Sequence, residues 1–270
     1  VGNGRKPYYM LNLLSKQSIP EGGEDGSAGF LFFETADGYQ FKSIDKLFDK
    51  PQKKSYIFNN STDSQVTPPG YDGKILEQQS DSSVNVQSKM NIGAYKTKLV
   101  LFDPFNCEYV VEEKTADEAV QKNKVKLAGK KLPKFNNKFD TPNKDFTRTT
   151  FMLIDSGTLP AGSTDEQIKE NQRDNFKAAQ TLNQAIRRYN QLFSGMMEIT
   201  IAGDFSLHAG DVIFVDIPAI DSEKSDTLNR ESGGLYIIAD LCHFVNADGT
   251  YTKLNLARDS FGRKGNHSKR

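Results

Sequence analysis

Histidine is scarce in this sequence, and its spacing argues against a metal or catalytic centre. The three histidines are His208, His243 and His267, and none stands four residues from another or beside a Cys-x-x-Cys pair. Metal sites draw their ligands from such short spacings. We expect His243 to be a packed or hydrogen-bonded strand residue, His208 to lie in a turn between strands, and His267 to lie in a C-terminal tail. The sequence therefore predicts no metal site.

The two cysteines, Cys107 and Cys242, are too few for a disulfide framework or a four-ligand zinc site. A single bridge between them stays open as an alternative. The favoured interpretation is two buried, reduced side chains that act as small apolar residues.

Nucleophile and phosphate motifs are also absent. The sequence has no Gly-x-Ser-x-Gly elbow and no Gly-x-x-x-x-Gly-Lys-Ser/Thr loop. Carboxylate pairs such as Glu112/Glu113 and Asp221/Glu223 are present, but among 35 acidic residues such pairs occur by chance. We therefore predict that the protein is not an enzyme and has no catalytic residue, bound cofactor or metal.

Charge and hydropathy exclude further classes. The 270 residues carry 35 Lys and Arg against 35 Asp and Glu, which removes any overall attraction to nucleic acid or an anionic surface. The longest apolar runs are four or five residues, so no membrane insertion is expected. Segment 122–148 is locally basic and contains Phe135, Phe139 and Phe146. Single-strand nucleic-acid binding there is an alternative to the favoured interpretation, a connection between domains.

The first half of the chain shows local signals for short elements. We predict a helix over residues 8–18, a hairpin over 30–42 turning at Asp37-Gly38, and a short helix capped by Ser43. A strand at 56–58, a polar loop at 59–73 and a helix around 82–90 follow. Residues 94–103 and 107–112 read as a second hairpin.

The second half begins with the clearest helix and then changes to strands. Residues 165–193 carry one apolar stripe that packs on its own domain or, alternatively, forms a coiled-coil seam; its members are Phe176, Ala179, Leu182, Ile186, Tyr189 and Phe193. Strands are then predicted at 197–201, 213–217, 235–241 and 251–258. Their spacing is typical of a barrel or a sandwich.

Four segments together resemble the central baseplate hub subunit of T-even-like contractile-tailed phages. They are GFLFFETADGYQFKSIDKL (29–47), GAYKTKLVLFDP (93–104), ITIAGDFSLHAGDVI (199–213), and SGGLYIIADLCH (232–243) followed by TKLNLARDS (252–260). No single segment is a strong signature. Their order and spacing carry the resemblance across most of the chain.

The resemblance implies an α+β fold, with a tube-type antiparallel β-barrel and a discontinuous α/β domain of hairpin and helices. The barrel domain would comprise residues 93–113 and 196–261, the discontinuous hub domain 1–92 and 114–195, and a basic disordered tail 262–270. The match begins after the family's first barrel, so Val1 resembles an internal start. The assignment is tied to hairpin 94–112 sharing one wall with the later strands: if residues 98–102 and 254–256 lie in unrelated sheets, the phage-tail assignment falls.

The same resemblance implies a structural role in the virion, at the tail baseplate, after assembly in the host cytoplasm. The family forms a homotrimeric ring that adapts a threefold spike to a sixfold tail tube. Its implied partners are the spike or tail lysozyme protein, the tail tube and tube-initiator proteins, and other baseplate proteins. DNA would pass through the lumen without specific binding.

Two other functions remain as alternatives. One is a tail-associated cell-wall hydrolase that draws its acids from loops 103–118 or 221–231, because loops on rigid barrels carry active sites. The other is a spike–hub protein of a contractile secretion system, which shares the fold and the mechanism but differs in its biological setting.

Overall fold

The computed structural model describes residues 4–18, 28–58, 66–81, 85–103, 107–115, 125–133, 148–153, 163, 166, 178–217, 232–262, 264 and 265. The chain divides into two compact units. Unit 1 comprises Val1–Phe32, Asn85–Val125 and Lys134–Asn190, and unit 2 comprises Phe33–Val84, Lys126–Pro133 and Gln191–Arg270. No helix among the described residues has the length and apolar character that crossing a membrane requires.

The described helices are α1 (Pro7–Ser15), α2 (Ile44–Phe48), α3 (Val86–Asn91) and α4 (Ala178–Leu192). The described strands are β1 (Phe30–Thr35), β2 (Gly38–Ser43), β3 (Lys54–Ile57), β4 (Gly73–Asp81), β5 (Lys96–Asp103), β6 (Glu108–Thr115), β7 (Arg148–Leu153), β8 (Gly195–Ala202), β9 (Val212–Asp216), β10 (Gly234–Asn246) and β11 (Gly249–Arg258). The fold is mixed α+β, as expected.

Six strands of unit 2 form a closed barrel in the order β10-β11-β8-β4-β3-β9. The pairs that involve β10, β11 and β8 are antiparallel, whereas β3 runs parallel to both of its neighbours, β4 and β9. The expected barrel is therefore present, but the expectation that it is purely antiparallel is wrong. Closure removes the exposed edges that an open sheet of this size would have.

Alternating side chains fill the barrel interior. In several strands every second residue is apolar and points into the core, because the side chains of a strand alternate between its two faces. It comprises Tyr56, Ile75, Met197, Ile199, Ile201, Leu207, Ile213, Val215, Ile217, Tyr236, Ile238, Leu254 and Leu256. Each fully buried side chain of this size contributes about 1.5–3 kcal/mol to folding.

The hairpin β5–β6 lies outside the barrel. It forms a three-stranded sheet with β7, in the order β6-β5-β7, and β7 runs parallel to β5. Residues 98–102 and 254–256 therefore lie in different sheets, and placing 93–113 in the barrel domain is wrong. The test that the shared wall set for the phage-tail assignment therefore fails, and the assignment has to rest on other evidence. Strands β3 and β4 occupy the two barrel positions that the hairpin was expected to fill.

The three-stranded sheet packs one face against α4 within unit 1. Leu99 and Leu101 point to this face and contact Leu182 of the helix. The threonine hydroxyl of Thr97 is hydrogen bonded to Asn183, which is fully buried. These contacts account for part of the apolar stripe predicted for α4.

Local capping agrees with the sequence. The Ser43 hydroxyl accepts a hydrogen bond of 3.2 Å from the Lys46 amide at the start of α2, which confirms it as the N-cap. The hairpin β1–β2 forms its own two-stranded sheet around the predicted turn. In the predicted tail, residues 266–270 lie outside the described part of the chain, whereas Lys264 donates a hydrogen bond of 2.9 Å to the Leu127 carbonyl.

Candidate assembly surface

The loop between β8 and β9, residues 203–211, closes one end of the barrel. Leu207 from this loop is 1% exposed and belongs to the barrel core. Gly210 has a φ of 81°, and a Cβ at this position would lie 2.6 Å from the Phe33 ring. Glycine adopts this backbone region readily and leaves room for the ring. The segment that resembles tail hub barrels thus forms the cap of the barrel.

Three lysines that precede or begin β3 hold this cap in place. Lys53 forms an ion pair of 2.7 Å with Asp211. Lys50 donates a hydrogen bond of 3.1 Å to the Gly210 carbonyl, and burial, followed by the nearby Lys42 charge, lowers its pKa. Lys54 pairs with Asp204. The cap is therefore tied to the segment 50–54 at three points along its length.

Asp204 is the centre of the polar network under the cap. Its carboxylate accepts hydrogen bonds from the Tyr56 hydroxyl at 3.0 Å, the Ser206 amide at 3.0 Å and the Ser206 hydroxyl at 2.7 Å. Burial alone would raise the pKa of Asp204, but the hydrogen bonds from Lys54, Ser206 and Tyr56 outweigh it and hold this pKa well below its usual range. Burial and the Asp204 charge together raise the pKa of Tyr56. Asp204 thus stays ionised and anchors the cap.

The hairpin of β10 and β11 extends past this end of the barrel, and we call its residues 239–252 the arm. The cap packs against the arm. The Gly203 amide donates to the Thr250 carbonyl at 2.8 Å, and the Asp204 amide donates to the Thr252 hydroxyl at 2.9 Å. The Phe205 ring lies 4.6 Å from the His243 ring, centroid to centroid. Cap and arm therefore form one surface.

One edge of the arm has no strand beside it in the described part of the chain. β10 pairs with β9 over residues 234–237, and Ile238 exchanges backbone hydrogen bonds with Gly210 and Asp211 of the cap. Among the described residues, the part of β10 beyond Ile238 pairs with β11 alone. Apolar side chains are exposed on the arm and on the cap beside it: Val245 is 70% exposed, Phe244 is exposed on the opposite face of the strand, and Phe205 of the cap is 61% exposed. Exposed edges of this kind add strands from other chains unless they are protected.

These exposed residues were not identified from the sequence as candidates for binding. Phe205 is the one large apolar residue in the run Gly-Asp-Phe-Ser. Its polar neighbours in the sequence give no sign of a core against which it could pack. Val245 and Phe244 continue the apolar pattern of β10 beyond the point where β9 stops pairing. Only the first signal was accessible from the sequence, because the second depends on where the neighbouring strand ends.

Unit 1 has a second exposed edge. Within the described residues β7 pairs with β5 alone, so its other side faces no strand. Phe151 in this strand is 77% exposed, and Arg148 at its start is exposed as well. This edge is basic and apolar, since Arg148 is the one charged residue between 148 and 153.

The other end of the barrel is held by a buried cation. The Arg258 guanidinium lies 4.7 Å from the Tyr236 ring centroid and 4.5 Å from that of Phe261. The next two residues, Asp259 and Ser260, accept hydrogen bonds from the Ala128 and Gly129 amides at 3.0 and 2.7 Å. Segment 126–133 is thereby attached to the end of β11. Residues 126–133 of the basic segment 122–148 therefore pack against the barrel domain as part of its structure.

The histidines lie where the sequence placed them, so far as the structure describes them. His243 lies in β10, and its Nδ1 is 2.9 Å from the Thr252 hydroxyl. His208 lies in the cap, with Nδ1 3.8 Å from Asp37 and 3.9 Å from Asp211. His267 is outside the described residues. Among the residues described, no three His, Cys, Asp or Glu side chains group as metal ligands.

The carboxylate pairs give no paired site in the described residues. Glu112 and Glu113 are neighbours in β6 and so point to opposite faces of the sheet. Hydrogen bonding to Lys98 and the charge of Lys96 lower the pKa of Glu113, whereas a general acid needs a raised one. Asp221 and Glu223 lie outside the described residues, as do the whole of loop 221–231 and residues 104–106 and 116–118 of loop 103–118.

Both cysteines are exposed thiols. The expectation that they are buried apolar side chains is wrong. Cys107 directly precedes β6 and has a φ of 54°, and Cys242 lies on the arm. Each cysteine is exposed because of the hairpin in which it lies. The residue type alone does not predict this exposure.

Comparison with known proteins agrees with the resemblance found in the sequence. No family model matches the chain. The chain is 20% identical over 262 residues to a protein named "Probable baseplate hub protein gp334" from Vibrio phage KVP40. This match covers 94% of the chain and 58% of that protein, so the chain corresponds to part of its relative. The expected resemblance to baseplate hub proteins is confirmed.

Two tail proteins are among the solved structures that match the chain, both with TM-scores below 0.5. One is the tail protein from Neisseria meningitidis MC58, with a TM-score of 0.47 and 13% identity, over 96% of this chain and 56% of that one. The other is the 43 kDa tail protein of prophage MuSo2 from Shewanella oneidensis, with a TM-score of 0.43 and 13% identity, over 96% and 54%.

Proposed function

We propose that this chain is a structural subunit of a phage tail baseplate hub, a component of the virion that catalyses no reaction. The observation that carries the proposal is the sequence match over 94% of the chain to a probable baseplate hub protein. The closed, capped barrel supports it, because an assembly subunit needs a scaffold that keeps its shape under load. The exposed arm and the exposed β7 edge supply surfaces for neighbours.

The subunit acts as part of a homotrimeric ring that adapts a threefold spike to a sixfold tail tube. In this role it contacts the spike or tail lysozyme protein, the tube and tube-initiator proteins, and other baseplate proteins. The described residues contain one closed barrel.

The ring leaves a channel through which DNA passes without being held. Tight binding to DNA comes mainly from Lys and Arg contacts to phosphates. On the outer face of β8, β10 and β11, Lys253 is paired with Glu198 at 2.8 Å, and Asp240 adds a further negative charge. The chain as a whole carries no net charge. A lumen lined by such a surface would not retain the genome.

Counting the chain in purified tails tests this function. Quantitative mass spectrometry against a tail protein of known copy number should give three copies per particle, and images of the isolated assembly should show a ring with a central hole. One copy per tail, or absence from the baseplate, would contradict the proposal. Measurable cell-wall hydrolysis that is lost on substitution of a single Asp or Glu would contradict its non-enzymatic part.

A further inference from the structure

We propose that copies of this chain join head to tail by strand addition, with the arm edge of one copy receiving the β7 edge of the next. This inference deepens the proposed function and rests on it, because it names the contact that closes the homotrimeric ring. The occupant of the arm edge is therefore a second copy of this chain, and the segment that occupies it is Arg148–Leu153.

The first support is that both edges lack a neighbouring strand in the described residues. The arm edge of β10 follows the last residue that pairs with β9, and β7 pairs with β5 on one side alone. Each edge presents backbone amides and carbonyls that a strand from another copy would satisfy. Strand addition of this kind gains its affinity from main-chain hydrogen bonds and its specificity from alternate side chains.

The second support is charge complementarity. Between residues 234 and 252, β10 and the arm contain Asp240 and Asp248 and no lysine or arginine. Arg148 is exposed and is the one charged residue of β7. The other edge strand of that sheet, β6, carries three glutamates and one lysine and would repel the arm. Complementary charge thus selects β7 over β6.

The third support is a register that matches both features at once. In an antiparallel pairing that sets Phe151 opposite Val245, Thr150 lies opposite Asn246, where β10 ends, and Arg148 lies beside the hairpin turn that contains Asp248. Directly opposite residues share a face. Phe151 would then cover the exposed side chain of Val245, which lies on the same strand face as His243, the residue that the Phe205 ring contacts.

The contact joins two different surfaces of the chain, and this difference decides whether assembly gives a ring or a dimer. A heterologous interface generates a closed ring when the rotation per subunit closes, whereas self-pairing of the arm would be isologous and would stop at a dimer. Joining arm to β7 is therefore compatible with a threefold ring, and joining arm to arm is not.

Site-specific crosslinking tests the contact. The chain with Cys107→Ser and Cys242→Ser serves as background, and Phe151→Cys and Val245→Cys are placed in separate proteins. Under mild oxidation, or with a short bis-maleimide, we expect covalent dimers when the two proteins are mixed and little product from either alone. The protein with both substitutions should give covalent trimers. Leu76→Cys, an exposed apolar position on β4, replaces Val245→Cys as the matched control and should give no dimer with Phe151→Cys.

Each outcome separates this inference from the proposed function. Crosslinking of Val245→Cys with itself as readily as in the mixture would overturn the inference in favour of arm-to-arm pairing. Trimers in solution without crosslinks would overturn the inference and leave the hub function standing. A chain that is monomeric at every concentration, with no crosslink, would overturn both the inference and the homotrimer.

A charge exchange tests the register independently. Arg148→Glu should weaken self-association about two- to five-fold, as expected for loss of one exposed ion pair. Combining Arg148→Glu with Asp248→Lys should restore the original association. An unchanged association for Arg148→Glu, or no recovery in the double variant, would contradict the register. Circular dichroism of each variant establishes that its fold is intact.

Discussion

Gly203 lies directly against Thr250, where the cap of the barrel meets the arm. The Gly203 amide donates to the Thr250 carbonyl at 2.8 Å, and a Cβ on Gly203 would come within 2.4 Å of the threonine methyl carbon. This contact brings the cap and the arm so close that their positions depend on each other. The surface proposed for assembly is therefore built from two segments that cannot move independently.

Gly203→Ala should push the cap away from the arm and destabilise the fold. The added methyl group overlaps Thr250, and forcing such an overlap costs about 1–3 kcal/mol of folding free energy. Thermal unfolding followed by circular dichroism measures the loss. Thr250→Ala removes the nearest carbon and should recover part of the stability in the double variant. Equal stability of Gly203→Ala and the unsubstituted chain would show that the contact is looser than the structure has it.

Asp204→Asn should loosen the cap from segment 50–54. The substitution removes the charge that pairs with Lys54 and weakens the hydrogen bond from Tyr56, and we expect a loss of about 1–3 kcal/mol. The Asp204 carboxylate is 17% exposed, so the surrounding water screens it only partly. Asp49→Asn is the matched control, because Asp49 forms a 3.4 Å ion pair with Lys126 but is 64% exposed. Its effect should stay below about 0.5 kcal/mol.

The contribution of Asp204 should also depend on pH. Hydrogen bonds hold its pKa in the folded chain below the ordinary carboxyl value, so the folded state binds fewer protons than the unfolded state. Its stabilisation is then complete above the unfolded pKa of about 3.9 and is lost as the pH falls through the lower folded value. The stability difference between the chain and Asp204→Asn should be constant from neutral pH to about pH 5 and narrow below about pH 4. A difference that narrows between pH 8 and 6 would contradict this assignment.

The parts that the sequence predicted correctly depend on neighbours in the chain. Ser43 caps α2 through the Lys46 amide three residues later, and the Asp37-Gly38 turn closes a hairpin of adjacent strands. Such contacts are determined by a few consecutive residues, so their pattern can be read directly. His243 is a similar case, because its hydrogen bond to Thr252 spans one hairpin.

The composition of the barrel could not be read in that way. Leu99 and Leu101 define an apolar face on β5, but the two-residue period does not say which strand or helix covers it, and the structure places Leu182 there. β4 was missed altogether, because Ile75 is its one residue in the barrel core and a register shift follows it. The position of β4 in the barrel is determined by backbone hydrogen bonds to β8, and a pattern of side chains does not predict such bonds.

Arg258→Lys should destabilise the end of the barrel opposite the cap. Lysine keeps the charge but lacks the planar group that lies between the Tyr236 and Phe261 rings. Because the site is buried, we expect a loss of about 1–2 kcal/mol in chemical denaturation. Arg5→Lys tests the same substitution at an exposed position, over the Tyr9 ring at 5.0 Å, and should change stability by less than about 0.5 kcal/mol. Similar losses for the two variants would mean that burial does not strengthen the contact.

Thr97→Val should destabilise the three-stranded sheet without changing its shape. Valine matches threonine in volume but removes the hydroxyl that is hydrogen bonded to the buried Asn183. An unsatisfied buried polar group costs about 1–3 kcal/mol, and urea denaturation should detect it. Thr149→Val, at an exposed position on β7 of the same sheet, should be close to neutral. If Thr97→Val proves as stable as the unsubstituted chain, the side chain of Asn183 must be hydrogen bonded to another group in the variant.

The two thiols should react in the native chain. Both Cys107 and Cys242 are exposed, so a disulfide reagent such as dithionitrobenzoate should modify two thiols per chain without denaturant. Cys242→Ser and Cys107→Ser should each reduce the count to one and leave the other thiol reactive. Cys242 lies on the arm, so its reaction should slow as the protein concentration rises and copies associate. Full reaction only after addition of urea would show that the cysteines are buried, which is what their composition alone suggested.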